Sequence, residues 1–234
     1  MKLLLTWLAL PIALWQGLAV RRRTERLVPP SGPHEGVTGP GEATIRLLVI
    51  GDSSAAGVGV GRIGDGMGPL LAALMADKAG QVTHWRVAGF NSATSGQIRD
   101  HVVKHLPRDG FTHIVLSVGT NDAKNFHTLA RFKREFGGLI YALKARFPSA
   151  RLVWSPIVEM RDVPALPRPL ADILSVRAHA FNSLGSRLAR ERGGVAATPL
   201  PVKGPGGFAV DGFHAGALGY AAWAEHLLPF VTGD

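Results

Sequence analysis

Ile45-Arg46-Leu47-Leu48-Val49-Ile50-Gly51-Asp52-Ser53-Ser54-Ala55-Ala56-Gly57 decides how the chain is read. Six residues with almost no polar break run into a glycine and then into small, hydrogen-bonding residues. A run apolar on both faces suits a strand sandwiched between helices, as in a parallel sheet. His113-Ile114-Val115-Leu116-Ser117-Val118 and Leu152-Val153-Trp154 repeat the pattern, and residues 82–88 and 195–197 are weaker candidates. Helical periods lie between them. Leu70, Leu71, Leu74 and Met75 form one stripe, closed by Gly80. Leu129, Phe132, Phe136, Leu139, Ile140, Leu143 and Phe147 form a second, stopped by Pro148. Ile173, Val176, Ala180, Leu184 and Leu188 form a third, stopped by Gly193 and Gly194. Strand and helix in alternation predict an α/β fold around a parallel sheet of about five strands, joined by right-handed crossovers.

Working outward from this body, residues 1–26 carry five basic residues against one acidic. Leu3 to Val20 holds no charge, and as a helix would span ~27 Å, close to a bilayer core of ~30 Å. Gly17-Leu18-Ala19 offers a signal-cleavage site, but Arg21, Arg22 and Arg23 directly after it favour an uncleaved N-terminal membrane anchor. The side of the membrane stays open, because the arginine run favours a cytoplasmic domain and a signal anchor an external one. Residues 27–43, rich in Pro and Gly, read as a linker. Residues 44–234 read as one domain. Residues 27–234 carry 21 basic and 16 acidic residues, scattered, which argues against nucleic acid as a partner. Cysteine is absent, which excludes disulfides, thiol catalysis and cysteine-based metal centres.

In an open α/β sheet, ligands bind beyond the carboxyl ends of the strands. Four segments follow strands or lie near the C-terminus: Gly51-Asp52-Ser53 with Gly57, Asn91-Ser92-Ala93-Thr94-Ser95-Gly96, Gly119-Thr120-Asn121-Asp122, and Asp211-Gly212-Phe213-His214. Each alone is ordinary turn and cap chemistry. Together they bring a hydroxyl, an imidazole, a carboxylate and hydrogen-bond donors to one end of one sheet. Acyl transfer needs that set. A serine becomes nucleophilic when a base takes its proton, a carboxylate orients the histidine, and N–H donors meet the oxyanion.

The four segments resemble, in order, the sequence blocks of the SGNH hydrolases, also called the GDSL esterase/lipase family. The resemblance covers residues 44–230. It implies a flavodoxin-like three-layer α/β/α sandwich and ester hydrolysis with no metal or other cofactor. It implies Ser53 as nucleophile, Asp211 and His214 as its partners, and Ser53, Gly96 and Asn121 as oxyanion donors. Ser54 stands where the family name has leucine. The second block lacks the glycine often found between its Asn and its Ser-Gly, which weakens Gly96 relative to the others. The expected activity is a serine-dependent carboxylic ester hydrolase acting on a small-molecule or lipid ester. Carbohydrate or cell-envelope O-deacetylation, and non-catalytic binding of an acyl ligand, are the alternatives.

Other features carry less. Gly59-Val60-Gly61-Arg62-Ile63-Gly64 spells a dinucleotide motif but starts too far past its strand, so it reads as a mobile loop bordering the cleft. His101 and His105 lack a third ligand and read as a solvated helix face. Asp122 reads as a loop brace. Phe126 and His127 are candidate pocket walls, and Arg151 to Leu170 is either an apolar rim or a connector.

Overall fold

The computed structural model describes residues 2–39, 44–108, 110–202 and 204–233, with the backbone alone for residues 2–10. Six strands form one sheet: β1 (Glu35–Thr38), β2 (Ile45–Gly51), β3 (Thr83–Gly89), β4 (His113–Ser117), β5 (Arg151–Ser155) and β6 (Val195–Ala196). Their spatial order is β1-β3-β2-β4-β5-β6. All pairs from β3 to β6 are parallel, and β1 pairs antiparallel with β3. With β1 set aside, the parallel strands follow the flavodoxin-like order, whose chain reversal lies between β2 and β4.

The helices are α1 (Lys2–Arg23), α2 (Met67–Ala79), α3 (Ser95–His101), α4 (Thr120–Lys124), α5 (Leu129–Arg146), α6 (Leu170–Glu191) and α7 (Ala217–Thr232). Alternate residues of β2 point to opposite faces. Leu47 and Val49 join α2 and α7 in one core, whereas Leu48 and Ile50 join α3, α5 and α6 in the other. Two cores on one sheet make a three-layer sandwich. The predicted stripes of α2 and α5 mark these cores, except for Leu129, which is exposed, and Gly80, at φ 60°, caps α2.

Three sequence expectations change. The linker contains β1, whose backbone partner is β3; Pro40, Gly41 and the rest of residues 40–43 lie outside the described residues. The buried face of α6 is Leu174, Ala178, Phe181, Gly185 and Leu188, while Val176 stays 65 % exposed. The predicted stripe lacks Phe181, which packs on Phe132 at 4.6 Å between ring centroids, and Gly185, which clears space for Trp154. A Cβ at Gly185 would stand 2.4 Å from the buried indole, so Gly185→Ala is expected to lower stability by ~1–3 kcal/mol in chemical denaturation.

The third concerns the N-terminus. Among the described residues, no helix is long and apolar enough to cross a membrane. The C-terminal half of α1 packs instead on α6. Ala13 is buried, Gln16 Nε2 donates to the Arg168 carbonyl at 2.7 Å, and Leu170 N donates to Gln16 Oε1 at 3.1 Å.

Candidate active site

Gly51 ends β2 at φ 157°, and a Cβ there would sit 1.8 Å from the Ser117 carbonyl oxygen. That close approach of β2 to β4 lets Asp52 N donate to Ser117 O at 2.9 Å. Residues 53–59 then form successive turns. Asp52 Oδ1 accepts from Ser54 N at 3.0 Å and Ser54 Oγ at 2.8 Å, and Ser54 Oγ lies 2.6 Å from Ser117 Oγ. This buried network fixes the turn that presents Ser53. Burial pushes the Asp52 carboxyl up, although the Ser54 bonds oppose the shift.

His214 arrives from the C-terminal side. Gly212, at φ 65°, turns the chain, and Ala209 N donates to the His214 carbonyl at 2.8 Å. Asp211 Oδ1 accepts from Phe213 N and His214 N, each at 3.0 Å. Asp211 Oδ2 lies 2.5 Å from His214 Nδ1, and His214 Nε2 lies 3.2 Å from Ser53 Oγ. Burial alone would raise the Asp211 pKa, but the His214 ring and the two backbone N–H groups together hold it below the usual carboxylate range. Gly59 packs against this loop from behind: a Cβ there would meet the Ala215 carbonyl at 2.2 Å. The glycine-rich segment supports the histidine loop and does not line the cleft.

Asn121 is the second residue of α4, beyond β4. Its Nδ2 donates to the Ala93 carbonyl at 3.0 Å, with Asp52 Oδ2 at 3.5 Å. Arg177 on α6 braces the far end of that loop, donating to the carbonyls of Ala123 and His127 at 2.9 and 2.7 Å. Gly96 is not brought to the cleft. It is the second residue of α3 and faces Glu135, which a Cβ would meet at 3.0 Å. Ser92 lines the cleft in its place, at φ 63°. The sequence signal was missed because a glycine is expected at a left-handed position and a serine stands there. Ser92 and Phe126 are the non-glycine residues with positive φ among those described, and both line the cleft.

The cleft encloses ≈ 1560 Å³ and holds Ser53, Ser92, Asn121 and His214. Its apolar wall includes Ile157, Met160, Val163 and Leu166, so the segment after β5 is a rim. Leu14 and Leu18 of α1 extend that wall. Phe126 is at the cleft as expected; His127 is not, and turns its Nδ1 to Asp122 Oδ1 at 3.2 Å. Asp122 Oδ2 accepts from Ser95 N and Ser95 Oγ, each at 3.0 Å, the bracing role expected of it. His101 and His105 are exposed.

A family model described as GDSL-like Lipase/Acylhydrolase matches residues 49–222. The chain belongs to that family. These enzymes are the SGNH hydrolases, and this GDSL-family chain is a hydrolase of ester bonds. Among solved structures, TesA is similar with a TM-score of 0.66 and 20% identity, over 80% of this chain and 98% of that one. The extracellular lipase of Streptomyces rimosus gives 0.57 and 16%, over 81% and 99%. The Clostridium thermocellum family 3 carbohydrate esterase gives 0.59 and 16%, over 81% and 96%. At these identities the likeness is one of fold. A search of curated protein sequences found no match.

Proposed function

We propose that this GDSL-family hydrolase cleaves carboxylic esters through Ser53, His214 and Asp211, and that its substrates carry an apolar acyl group. The carrying observation is the unbroken chain of contacts from Asp211 through His214 to Ser53, opening onto an apolar cleft. Ser53 Oγ attacks the ester carbonyl while His214 Nε2 takes its proton. Asp211 holds the ring with Nδ1–H directed at Oδ2, so Nε2 is the basic nitrogen. The tetrahedral oxyanion forms beside the N–H of Ser53, the N–H of Ser92 and the Asn121 amide. An amide nitrogen has two hydrogens: Ala93 holds one of those on Asn121, and the other, which reaches Asp52 Oδ2 only at 3.5 Å, turns to the oxyanion when it forms. The imidazolium protonates the leaving alcohol, and water then attacks the acyl-enzyme with the same two proton transfers.

Asn121→Ala is expected to lower kcat by ~10²–10³, the usual range for one oxyanion donor. Ser92 gives a sharper contrast. Ser92→Gly suits the left-handed backbone and keeps the N–H, so turnover stays within about twofold of wild type. Ser92→Pro removes the N–H and forbids that φ, and abolishes turnover. Equal loss in both variants would remove Ser92 N–H from the mechanism.

The apolar lining favours longer acyl chains over the acetyl group of a carbohydrate deacetylase. A chromogenic ester series from acetyl to long-chain acyl, run on the full chain and on Ser53→Ala, tests this reading. Activity rising with acyl length and lost in Ser53→Ala is the expected result. An optimum at acetyl would favour the deacetylase reading, and activity surviving in Ser53→Ala would overturn the serine mechanism.

A further inference from the structure

Behind the cleft, on the side away from substrate, three side chains from two elements and a loop converge. Asp122 lies on α4, His127 follows it, and Glu135 lies on α5; all three are buried. One ligand atom from each, His127 Nδ1 and one oxygen from either carboxylate, lies within 4.8 Å of the other two. His127 Nδ1 stands 3.2 Å from Asp122 Oδ1 and 3.8 Å from Glu135 Oε2. Ligands held ~2.0–2.2 Å from a common tetrahedral centre are separated by roughly 3.3–3.6 Å, between those two distances.

The outer oxygens of both carboxylates are already engaged. Asp122 Oδ2 takes the two Ser95 donors. Glu135 Oε1 takes Arg131 Nε at 2.8 Å, with Arg134 Nη2 at 3.5 Å. The inner oxygen of Glu135 is buried and has no hydrogen-bond partner. Gly96 leaves room for it, since a Cβ there would press on Glu135 Oε2 at 3.0 Å. A buried carboxylate oxygen left without a donor is costly, and a cation is one of the few groups that satisfies it beside a second carboxylate. The partners on the outer oxygens orient the inner ones, as outer-shell donors do around bound metals.

We propose that Asp122, His127 and Glu135 form a structural site for a divalent transition-metal cation, of the Zn²⁺ or Mn²⁺ class. One nitrogen and two carboxylate oxygens suit such an ion better than Ca²⁺, which takes six to eight oxygens. With its proton on Nε2, His127 offers the Nδ1 lone pair to the ion, and the two carboxylates balance the ion's charge. The ion touches no substrate. It ties the start of α3 through Ser95, α4 through Asp122 and α5 through Glu135, and so steadies the loops that carry Ser92 and Asn121. This site does not depend on the catalytic reading above.

The test uses the full chain, stripped with EDTA, dialysed, and titrated separately with Zn²⁺ and Mn²⁺. Metal content per chain and the thermal midpoint are recorded. The expected result is one tightly held equivalent, with a midpoint raised by the ion. Glu135→Gln weakens binding by more than about 100-fold and loses the midpoint rise, whereas His214→Ala keeps both. That second variant separates this site from adventitious binding at His214 and Asp211. If Glu135→Gln does not fold, His127→Gln serves with the same expectation. No bound equivalent, binding unchanged in the Glu135 and His127 variants, or binding lost only in His214→Ala would each overturn the proposal.

Discussion

Replacing His214 with alanine is expected to lower kcat by roughly 10⁴–10⁶ while leaving KM within a few fold. His214 Nε2 is the group placed to take the Ser53 proton, at 3.2 Å, and the same proton must return to the leaving alcohol. Without it the hydroxyl attacks at its own low reactivity, and both steps of the acyl transfer slow together. KM is little affected because the acyl group is held by the apolar wall around Ile157 and Met160, which the substitution leaves in place. Stopped-assay kinetics on a single ester give both constants. A loss in KM with kcat retained would assign His214 to binding.

Asp211→Asn is expected to cost ~10⁴ in kcat. Asp211 accepts three hydrogen bonds, from Phe213 N, His214 N and the His214 ring. An asparagine keeps the shape but presents an N–H on one side, which turns the imidazole to the wrong tautomer. The change also has a stability signature. The folded pKa of Asp211 is depressed, so its ionised form stabilises the fold above the unfolded value of about 3.9, and that contribution is lost as pH falls through the folded value. The amide that replaces this carboxylate does not titrate. Urea unfolding of the variant should therefore lose less stability on acidification than wild type. Identical acid sensitivity would mean that the Asp211 bonds contribute nothing to the fold.

The parallel sheet was legible because β2, β4 and β5 are buried on both faces and must be apolar throughout. Edge strand β1 was not, since Glu35-Gly36-Val37-Thr38 has no such pattern and is made a strand by pairing with β3. The turns that bring Ser53, Asn121, Asp211 and His214 to one end of the sheet were legible in local spacing, because the residues of each turn are constrained by the chain beside it. The placement of Gly96 was not legible for the complementary reason: a serine adopts the left-handed turn at position 92, and the glycine faces Glu135. Glu135 itself was hidden inside a helical stripe of aromatic and aliphatic residues, where its burial depends on Asp122 and His127, eight or more positions away. The contact of α1 with the start of α6 was not legible, because it runs through Gln16, whose partners at Arg168 and Leu170 lie more than 150 residues away.

In the proposed mechanism His214 activates Ser53. A fluorophosphonate probe reacts with a serine whose proton a neighbouring base removes, and is largely inert to other hydroxyls. Intact-mass and peptide analysis of the labelled full chain should show one adduct, on the peptide containing Ser53, absent from Ser53→Ala and slowed by orders of magnitude in His214→Ala. A folded wild-type chain that takes no label, or takes it on another serine, would contradict the account.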